Sequence, residues 1–334
     1  MIKNNNIILH VENLTTTLSL KKGPVNVVEN LSFDLNAGQT LALVGESACG
    51  KSMTALSIMR ILPSPPAQHP SGKIIYQNKN LLSLREKEMR KIRGSRIAMI
   101  FQNPMSALNP VYTIGEQLME VLDLHLREKH AEERIFQTLD DVGIPNPRQT
   151  VNEFPHSLSG GMKQRVMIAM AILCEPDILI ADEPTTALDV TTQKQVLQLI
   201  RELQKKRGTS LLLITHDMGV VAEMADDVVV MYSSRAIEQG SVYEIFDNML
   251  HPYTQGLFLS RPQSKNPKKK LQPITGSVPS LAQRPPGCHF HPRCSYAREV
   301  CRSGDVPKSQ LSSNNHQTLC WLYHKSINSH LTWE

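Results

Sequence analysis

The stretch Gly45-Glu46-Ser47-Ala48-Cys49-Gly50-Lys51-Ser52 decides the fold. It follows the pattern G-x-x-x-x-G-K-[ST], and its surroundings agree with its spelling. Thr40-Leu41-Ala42-Leu43-Val44 before it reads as a short buried strand, and residues 53–62 after it as a helix stopped by Pro63. Strand, glycine-rich loop and helix together make a phosphate cradle, because successive backbone N–H groups and a helix N-terminus face an anion. Lys51 would reach the β- and γ-phosphates, and the Ser52 hydroxyl would take a place on Mg²⁺. The competing reading is an ordinary tight turn between strand and helix. The strand before and the helix after favour the cradle.

The rest of the composition narrows the field. With 334 residues the chain can hold two domains, or one large domain with an appendage. At 40% hydrophobic and 20% charged it has ample material for a core. Aromatic residues make up only 5%, which disfavours a stacking platform for single-stranded nucleic acid. A net charge of +5 reads as a solvated basic face, and no nucleic-acid partner is expected. The longest uncharged apolar run, residues 166–174, falls far short of the roughly 20 residues that cross a bilayer. Residues 1–6 lack the apolar core of a secretory signal, so a cytosolic setting is expected, where disulfides are rare. Of the six cysteines, Cys49 and Cys174 stand alone, whereas Cys288, Cys294, Cys301 and Cys320 crowd one end of the chain.

Taken in order, residues 7–44 read as strands joined by turns, and residues 71–80 as one more strand and turn. From about 103 to 175 the texture becomes helical. Leu118, Val121 and Leu122, then Ile135, Phe136, Leu139 and Val142, recur at three- and four-residue spacing and paint one apolar face. This block is expected to be a helical subdomain inserted into the core. Buried strands at 178–181, 211–215 and 228–231 alternate with helices, one of which carries Val196, Leu199, Ile200 and Leu203 inward and closes at Gly208. Such alternation predicts an α/β fold with a mostly parallel sheet. Residues 261–287 are rich in proline, enclose Lys268-Lys269-Lys270, and read as a linker or extended arm.

Two further stretches carry chemistry. Asp182-Glu183 follows the apolar strand Ile178-Leu179-Ile180-Ala181, where an aspartate can hold Mg²⁺ and the adjacent glutamate can polarise a water. Alone, Asp-Glu-Pro would be a polar turn leaving a strand. Ser159-Gly160-Gly161-Met162-Lys163-Gln164 opens a helix with exposed N–H groups, a second anion-binding end. Two phosphate-gripping ends in one chain suggest opposite sides of a shared nucleotide.

At this point the chain resembles the ATP-binding subunits of ABC transporters over essentially its whole core. The resemblance implies the P-loop NTPase fold of the ABC ATPases, with antiparallel N-terminal strands beside the mostly parallel sheet. It places the Walker A loop at residues 45–52, the Walker B strand at Asp182 with Glu183 as catalytic base, and the signature motif at Ser159, Gly160, Gly161 and Gln164. It further implies that Gln102 is the Q-loop residue near Mg²⁺, that Ala187-Leu188-Asp189 is the D-loop, and that His216 is a γ-phosphate donor. ATP and Mg²⁺ are the implied cofactors. Two departures stand out. Ala48 occupies the place of a usual third glycine, and Leu18 falls where an adenine-stacking aromatic ring is expected.

The end of the chain is similar to the C-terminal extension of dipeptide, oligopeptide and nickel importer ATPases. The strings that carry the likeness are His251-Pro252-Tyr253-Thr254, Pro286-Gly287-Cys288-His289-Phe290-His291-Pro292-Arg293-Cys294, and Cys320-Trp321. Core wording such as Phe101-Gln102-Asn103-Pro104-Met105-Ser106-Ala107-Leu108 is closest to the D-type member of the two ATPases such importers use. The domains expected are a nucleotide-binding domain over 1–250 and an extension over 251–334. The implied function is import of di- or oligopeptides, with nickel or another small solute, or a soluble ATPase working on nucleic acid or the ribosome, as alternatives. The implied partners are an F-type paralogue as heterodimer, two transmembrane permeases and an extracytoplasmic solute-binding protein. The implied place is the cytoplasmic face of the inner membrane. The four clustered cysteines, spaced C-x5-C-x6-C-x18-C, have the donors for an iron–sulfur cluster or for zinc, or are four reduced thiols in a small helical tail. The resemblance implies [4Fe–4S].

Overall fold

The computed structural model describes residues 6–21, 23–126, 130–186, 188–260, 273–310 and 316–324. Lys268-Lys269-Lys270 and the first part of the proline-rich segment lie outside the described residues. The chain opens with β1 (Ile7–Leu20), β2 (Gly23–Asn36), β3 (Thr40–Val44), α1 (Lys51–Met59), β4 (Ala67–Tyr76) and β5 (Lys79–Asn80). It continues with α2 (Glu86–Met89), β6 (Ile97–Ile100), α3 (Pro104–Ala107), α4 (Ile114–His125), α5 (Ala131–Asp141), α6 (Pro147–Thr150) and α7 (Gly160–Ile172). Then come β7 (Ile178–Asp182), α8 (Val190–Arg207), β8 (Ser210–Thr215), α9 (Met218–Met224), β9 (Asp227–Tyr232) and β10 (Arg235–Ser241). The last elements are α10 (Val242–Asp247), α11 (Pro252–Leu259), β11 (Lys308–Gln310) and β12 (Gln317–Leu319). They divide into two units, one made of Met1–Leu9, Asp34–Thr40 and Tyr76–Ile214, the other of His10–Phe33, Leu41–Ile75 and Thr215–Glu334.

In the first unit β6, β7 and β8 run parallel, with β7 in the middle. Every residue of the three is buried, which is why they read as unbroken apolar runs instead of alternating ones. Their carboxyl ends bring Ile100, Ala181 and Leu213 into one register row, so whatever follows each strand emerges on the same edge. Helices α4, α5 and α7 pack beside them. Leu118, Leu122, Ile135, Leu139 and Val142 are buried as their spacing predicts, whereas Val121 and Phe136 are only half-buried. The Arg148 guanidinium covers the Phe136 ring at 4.5 Å. Thr113 starts α4 with a capping box, its hydroxyl accepting from the Glu116 amide while the Glu116 carboxylate accepts from the Thr113 N–H at 2.7 Å. In α8, Val196, Leu199, Ile200 and Leu203 are buried and Gly208 ends the helix at φ 67°.

In the second unit the strand order is β11-β12-β10-β9-β3, with β3 and β9 parallel and the remaining pairs antiparallel. Strands β2, β1 and β4 lie side by side in another sheet. β1 and β2 each run 14 residues, longer than their alternation suggests. The reason is a phase shift in each: Asn13 and Asn30 adopt φ 47° and 49°, so burial passes from Leu9 and Val11 to Leu14 and Thr16. The two amides are satisfied across the pair, Asn13 N–H by the Ser32 hydroxyl and Asn30 N–H by that of Thr15. α1 ends at Met59, before Pro63, because Arg60 turns left-handed at φ 50°. Of the Cys-rich end, β11 and β12 continue the sheet beyond β10, and Phe290 enters a core with Val44, Val230, Tyr232 and Tyr253. Glu238, fully buried, ties this together by accepting from the Leu250 and His251 amides and bonding His316 Nε2 at 2.9 Å.

Candidate nucleotide site and cysteine pocket

Two close backbone approaches shape the loop at 45–52. Gly45 sits at φ 149°, where a Cβ would lie 2.2 Å from the Met231 carbonyl oxygen; at Gly50, φ 107°, it would lie 2.5 Å from that of Val27. Only glycine fits either place. Between them Ala48 takes φ 62°, a conformation costing an L-residue roughly 1–2 kcal/mol. Ala48 is exposed, and the missing third glycine is met by a left-handed backbone at an L-residue. Ser47 is exposed, Cys49 buried and Ser52 half-buried.

The loop closes on its own lysine. Lys51 is 5% exposed, and its ammonium donates to the Gly45 carbonyl at 2.7 Å and the Glu46 carbonyl at 3.1 Å, with Cys49 Sγ at 3.7 Å. Buried charge is tolerated when such oxygens replace water. Burial pushes the Cys49 thiol up in pKa, against the pull of Lys51. On its other side the loop is held from far along the chain. The Glu46 N–H donates to Tyr253 Oη at 2.9 Å, and the Glu46 carboxylate accepts from Arg293 Nη1 at 2.8 Å and Nη2 at 3.2 Å. Sequence reasoning names Tyr253 and Arg293 only inside family strings, because a contact across some two hundred residues leaves no periodic trace. Elsewhere in this unit Leu18 is half-buried in β1, and His216 is exposed just past β8. Asp217 beside it caps α9 by accepting from the Gly219 N–H at 2.7 Å.

In the first unit the strand-end carboxylates gather their neighbours. Asp182 closes β7 at 5% exposure. Glu183 adopts φ 47°, a strained position for a non-glycine residue, and its amide donates to the Ile214 carbonyl at 2.9 Å. Gln102 Nε2 donates to Glu183 Oε2 at 3.2 Å, and Thr186 Oγ1 donates to the same oxygen at 2.9 Å. Ser159 is the N-cap of α7, accepting from the Met162 amide, with Gly160 and Gly161 in the first turn. Gln164 is buried and donates to the Pro184 carbonyl at 2.6 Å, which joins α7 to the residue after Glu183. Asp189 caps α8, accepting from the Thr191 and Thr192 amides at 3.0 Å; the bonds from Thr192 hold its carboxyl below the usual range. Ala187 lies outside the described residues.

Cys288, Cys294, Cys301 and Cys320 line one small cavity together with His251, Phe290 and Trp321. Burial raises the thiol pKa of Cys288, of Cys294 to about 11 and of Cys320 to about 12, with neighbouring thiols adding to it. Among the described residues no group of three or more His, Cys, Asp or Glu is already arranged to hold a metal ion. Two of the residues lining it nonetheless hold a buried polar atom without a hydrogen-bond partner among the described residues, His251 Nε2 and Trp321 Nε1. The Tyr253 amide donates to His251 Nδ1 at 3.0 Å, so Nε2 bears the proton and both atoms are donors. Four sulfur ligands and two N–H donors are chemistry that fits a metal–sulfur group. Among the described residues the cysteine segment consists of short 3₁₀ turns and strands, with no α-helix.

Residues 28–186 match the family described as ABC transporter, and residues 237–301 the one described as oligopeptide/dipeptide transporter, C-terminal region. The chain is 49% identical to the dipeptide transport ATP-binding protein DppD of Bacillus subtilis (strain 168), an alignment covering 94% of each chain. It is 48% identical to the oligopeptide transport ATP-binding protein AppD of the same organism, over 95% of this chain and 97% of AppD. Among solved structures, a dimeric post-hydrolysis state of the ATP-binding cassette MJ0796 bound to ADP and Pi matches with a TM-score of 0.63 at 25% identity, over 70% of this chain and 98% of that one. The chain belongs to the ABC transporter family of ATP-binding proteins, in the group that carries the oligopeptide/dipeptide transporter C-terminal region.

Proposed function

We propose that this chain is the ATP-hydrolysing subunit that powers import of di- and oligopeptides through an ABC transporter, seated at the cytoplasmic face of the cell membrane. The observation that carries the reading is a phosphate loop closed on Lys51 and gripped by residues of a peptide-transporter-type C-terminal region. Among the described residues no helix is long and apolar enough to cross a membrane, so the path for the cargo falls to other subunits. Those partners are two transmembrane permeases, an extracytoplasmic solute-binding protein and a paralogous F-type ATPase.

The residues divide the work as follows. Lys51 and the amides of the loop from Gly45 through Ser52 hold the ATP phosphates, and Leu18 packs at the base in place of an aromatic ring. Ser52 and Asp182 would hold Mg²⁺, with Gln102 at its border, and a bound ion would supply positive charge against the β- and γ-phosphates. Glu183 orients and polarises the attacking water, its carboxylate steadied by Gln102 and Thr186. His216 donates to the γ-phosphate. Ser159, Gly160, Gly161 and Gln164, with Asp189, serve the ATP of the partner ATPase. In support of an outward role, a Cβ at Gly160 would meet nothing within 4 Å among the described residues, so internal packing does not demand glycine there.

Cys288, Cys294, Cys301 and Cys320 are the ligand set for an iron–sulfur cluster, zinc being the alternative, and such a centre would pin the C-terminal segment. Support comes from their shared cavity and its two buried donors. Anaerobic purification with iron, sulfide and zinc analysis tests this: iron with a visible charge-transfer band is expected, and a folded, metal-free chain would remove the centre. For the function itself, the assembled transporter is reconstituted in vesicles with its binding protein. ATP-dependent uptake of labelled di- or oligopeptide is expected; uptake of Ni²⁺ alone would overturn the peptide cargo.

A further inference from the structure

The phosphate loop is braced at one residue, Glu46, by two side chains of the C-terminal region. Tyr253, fully buried at the start of α11, accepts the Glu46 N–H at 2.9 Å. Arg293, whose side chain is 6% exposed, forks onto both carboxylate oxygens of Glu46 at 2.8 and 3.2 Å. A bidentate guanidinium–carboxylate pair fixes orientation as well as distance. Arg293 is itself pinned: Nε donates to the Thr275 carbonyl at 3.0 Å, and its guanidinium lies 5.7 Å from the Tyr232 ring and 5.9 Å from that of Phe290. The rings of Tyr232, Tyr253 and Phe290 pack on one another with centroids 4.7–5.4 Å apart, so the brace rests on a rigid aromatic block. Arg293 precedes Cys294 in a 3₁₀ turn, and Cys294 lines the cysteine cavity.

With its amide taken by the phenol and its carboxylate by the guanidinium, Glu46 is held at the amino-terminal stem of the loop. The amides that follow it are thereby presented to phosphate in a fixed arrangement. We infer that Arg293 and Tyr253 are positioning residues for nucleotide binding, through which the cysteine-bearing segment sets the affinity of the phosphate loop for ATP. The inference rests on the reading of residues 45–52 as the ATP loop. Preorganisation of this kind changes affinity by removing the cost of ordering the loop at each binding event.

The test is a binding titration of the full chain with a fluorescent ATP analogue, alongside KM and kcat in the assembled transporter. Arg293→Ala is expected to weaken binding about tenfold and to raise KM with kcat little changed, and Arg293→Lys to recover part of the loss. In a Glu46→Gln background, Arg293→Ala should have much less effect than in the native chain. Tyr253→Phe should weaken binding a few-fold. Where Arg293→Ala fails to fold, hydrogen exchange of the 45–52 segment in Arg293→Lys replaces it, with faster exchange expected. Native affinity in Arg293→Ala, equal losses in both backgrounds, or unchanged exchange would overturn the inference. Lys51→Ala separates the two readings: binding as tight as that of the native chain would mean that residues 45–52 are not the ATP loop, and the inference would fall with that reading.

Discussion

The phosphate loop of the second unit and the strand-end carboxylates of the first are built on different plans. The loop is a backbone object. Its shape follows from carbonyl contacts at Gly45 and Gly50, and its lysine is held by carbonyl oxygens of the loop itself. The centre at Glu183 is a side-chain object. Gln102 and Thr186 bond its carboxylate, and Gln164 reaches the next residue from a separate helix. Each contains one non-glycine residue in a left-handed conformation, Ala48 at φ 62° and Glu183 at φ 47°. On the roles proposed for them, the loop holds the nucleotide and Glu183 serves its hydrolysis, which predicts that the two can be broken independently.

The sharpest break is Glu183→Gln. Hydrolysis is expected to fall by about a hundredfold to ten-thousandfold while ATP binding stays near native. Single-turnover kinetics with an equilibrium binding titration checks it, and near-native turnover would remove Glu183 from the water-orienting role. Gly45→Ala should do the converse. A Cβ 2.2 Å from a backbone carbonyl forces the loop to move, and a loss of about 3 kcal/mol in stability together with loss of ATP binding is expected in denaturation and titration experiments.

A smaller effect concerns how the C-terminal region is held. Glu29 accepts from Arg235 and from Arg284, the latter at 3.1 Å. Burial alone would raise the Glu29 pKa, but the bond and charge of Arg235, with His289 and Arg284, outweigh it and hold the carboxyl below its ordinary 4.5. A depressed carboxyl pKa contributes stability that is present above 4.5 and lost as pH falls through the lowered value. Glu29→Gln should therefore cost about 2 kcal/mol at pH 7 and flatten the acid limb of the stability profile. Denaturant titrations between pH 7 and 3 read this directly. Smallest is Ala48→Gly, where relief of the left-handed strain is partly offset by a more flexible unfolded chain. A gain of no more than about 1 kcal/mol is expected by thermal unfolding.

Legibility differed sharply from place to place. The apolar runs at β7, β8 and β9 announce a parallel sheet because its strands are buried on both faces, whereas the four-residue β6 beside β7 was not read from the sequence. The inner face of α8 and its stop at Gly208 follow from helical periodicity and one permissive residue. β1 and β2 were legible only in part, since Asn13 and Asn30 shift the alternation halfway along each strand. The four cysteines can be counted in the sequence, but their meeting in one cavity with His251 and Trp321 cannot.

By itself the sequence determined the α/β class, the glycine pattern of residues 45–52 and the order of the polar stretches that follow it. All three depend on consecutive residues or on the short periods of strand and helix, where local sterics and hydrogen bonding suffice. Only the tertiary structure decided that Arg293 and Tyr253 brace Glu46, that Glu238 joins the start of α11 to His316, and that β12 extends the sheet at β10. Those contacts join residues far apart in the chain, and they form because burying Phe290, Tyr232 and Tyr253 together removes apolar surface from water. The polar partners then pair because, once buried, they have no water to turn to.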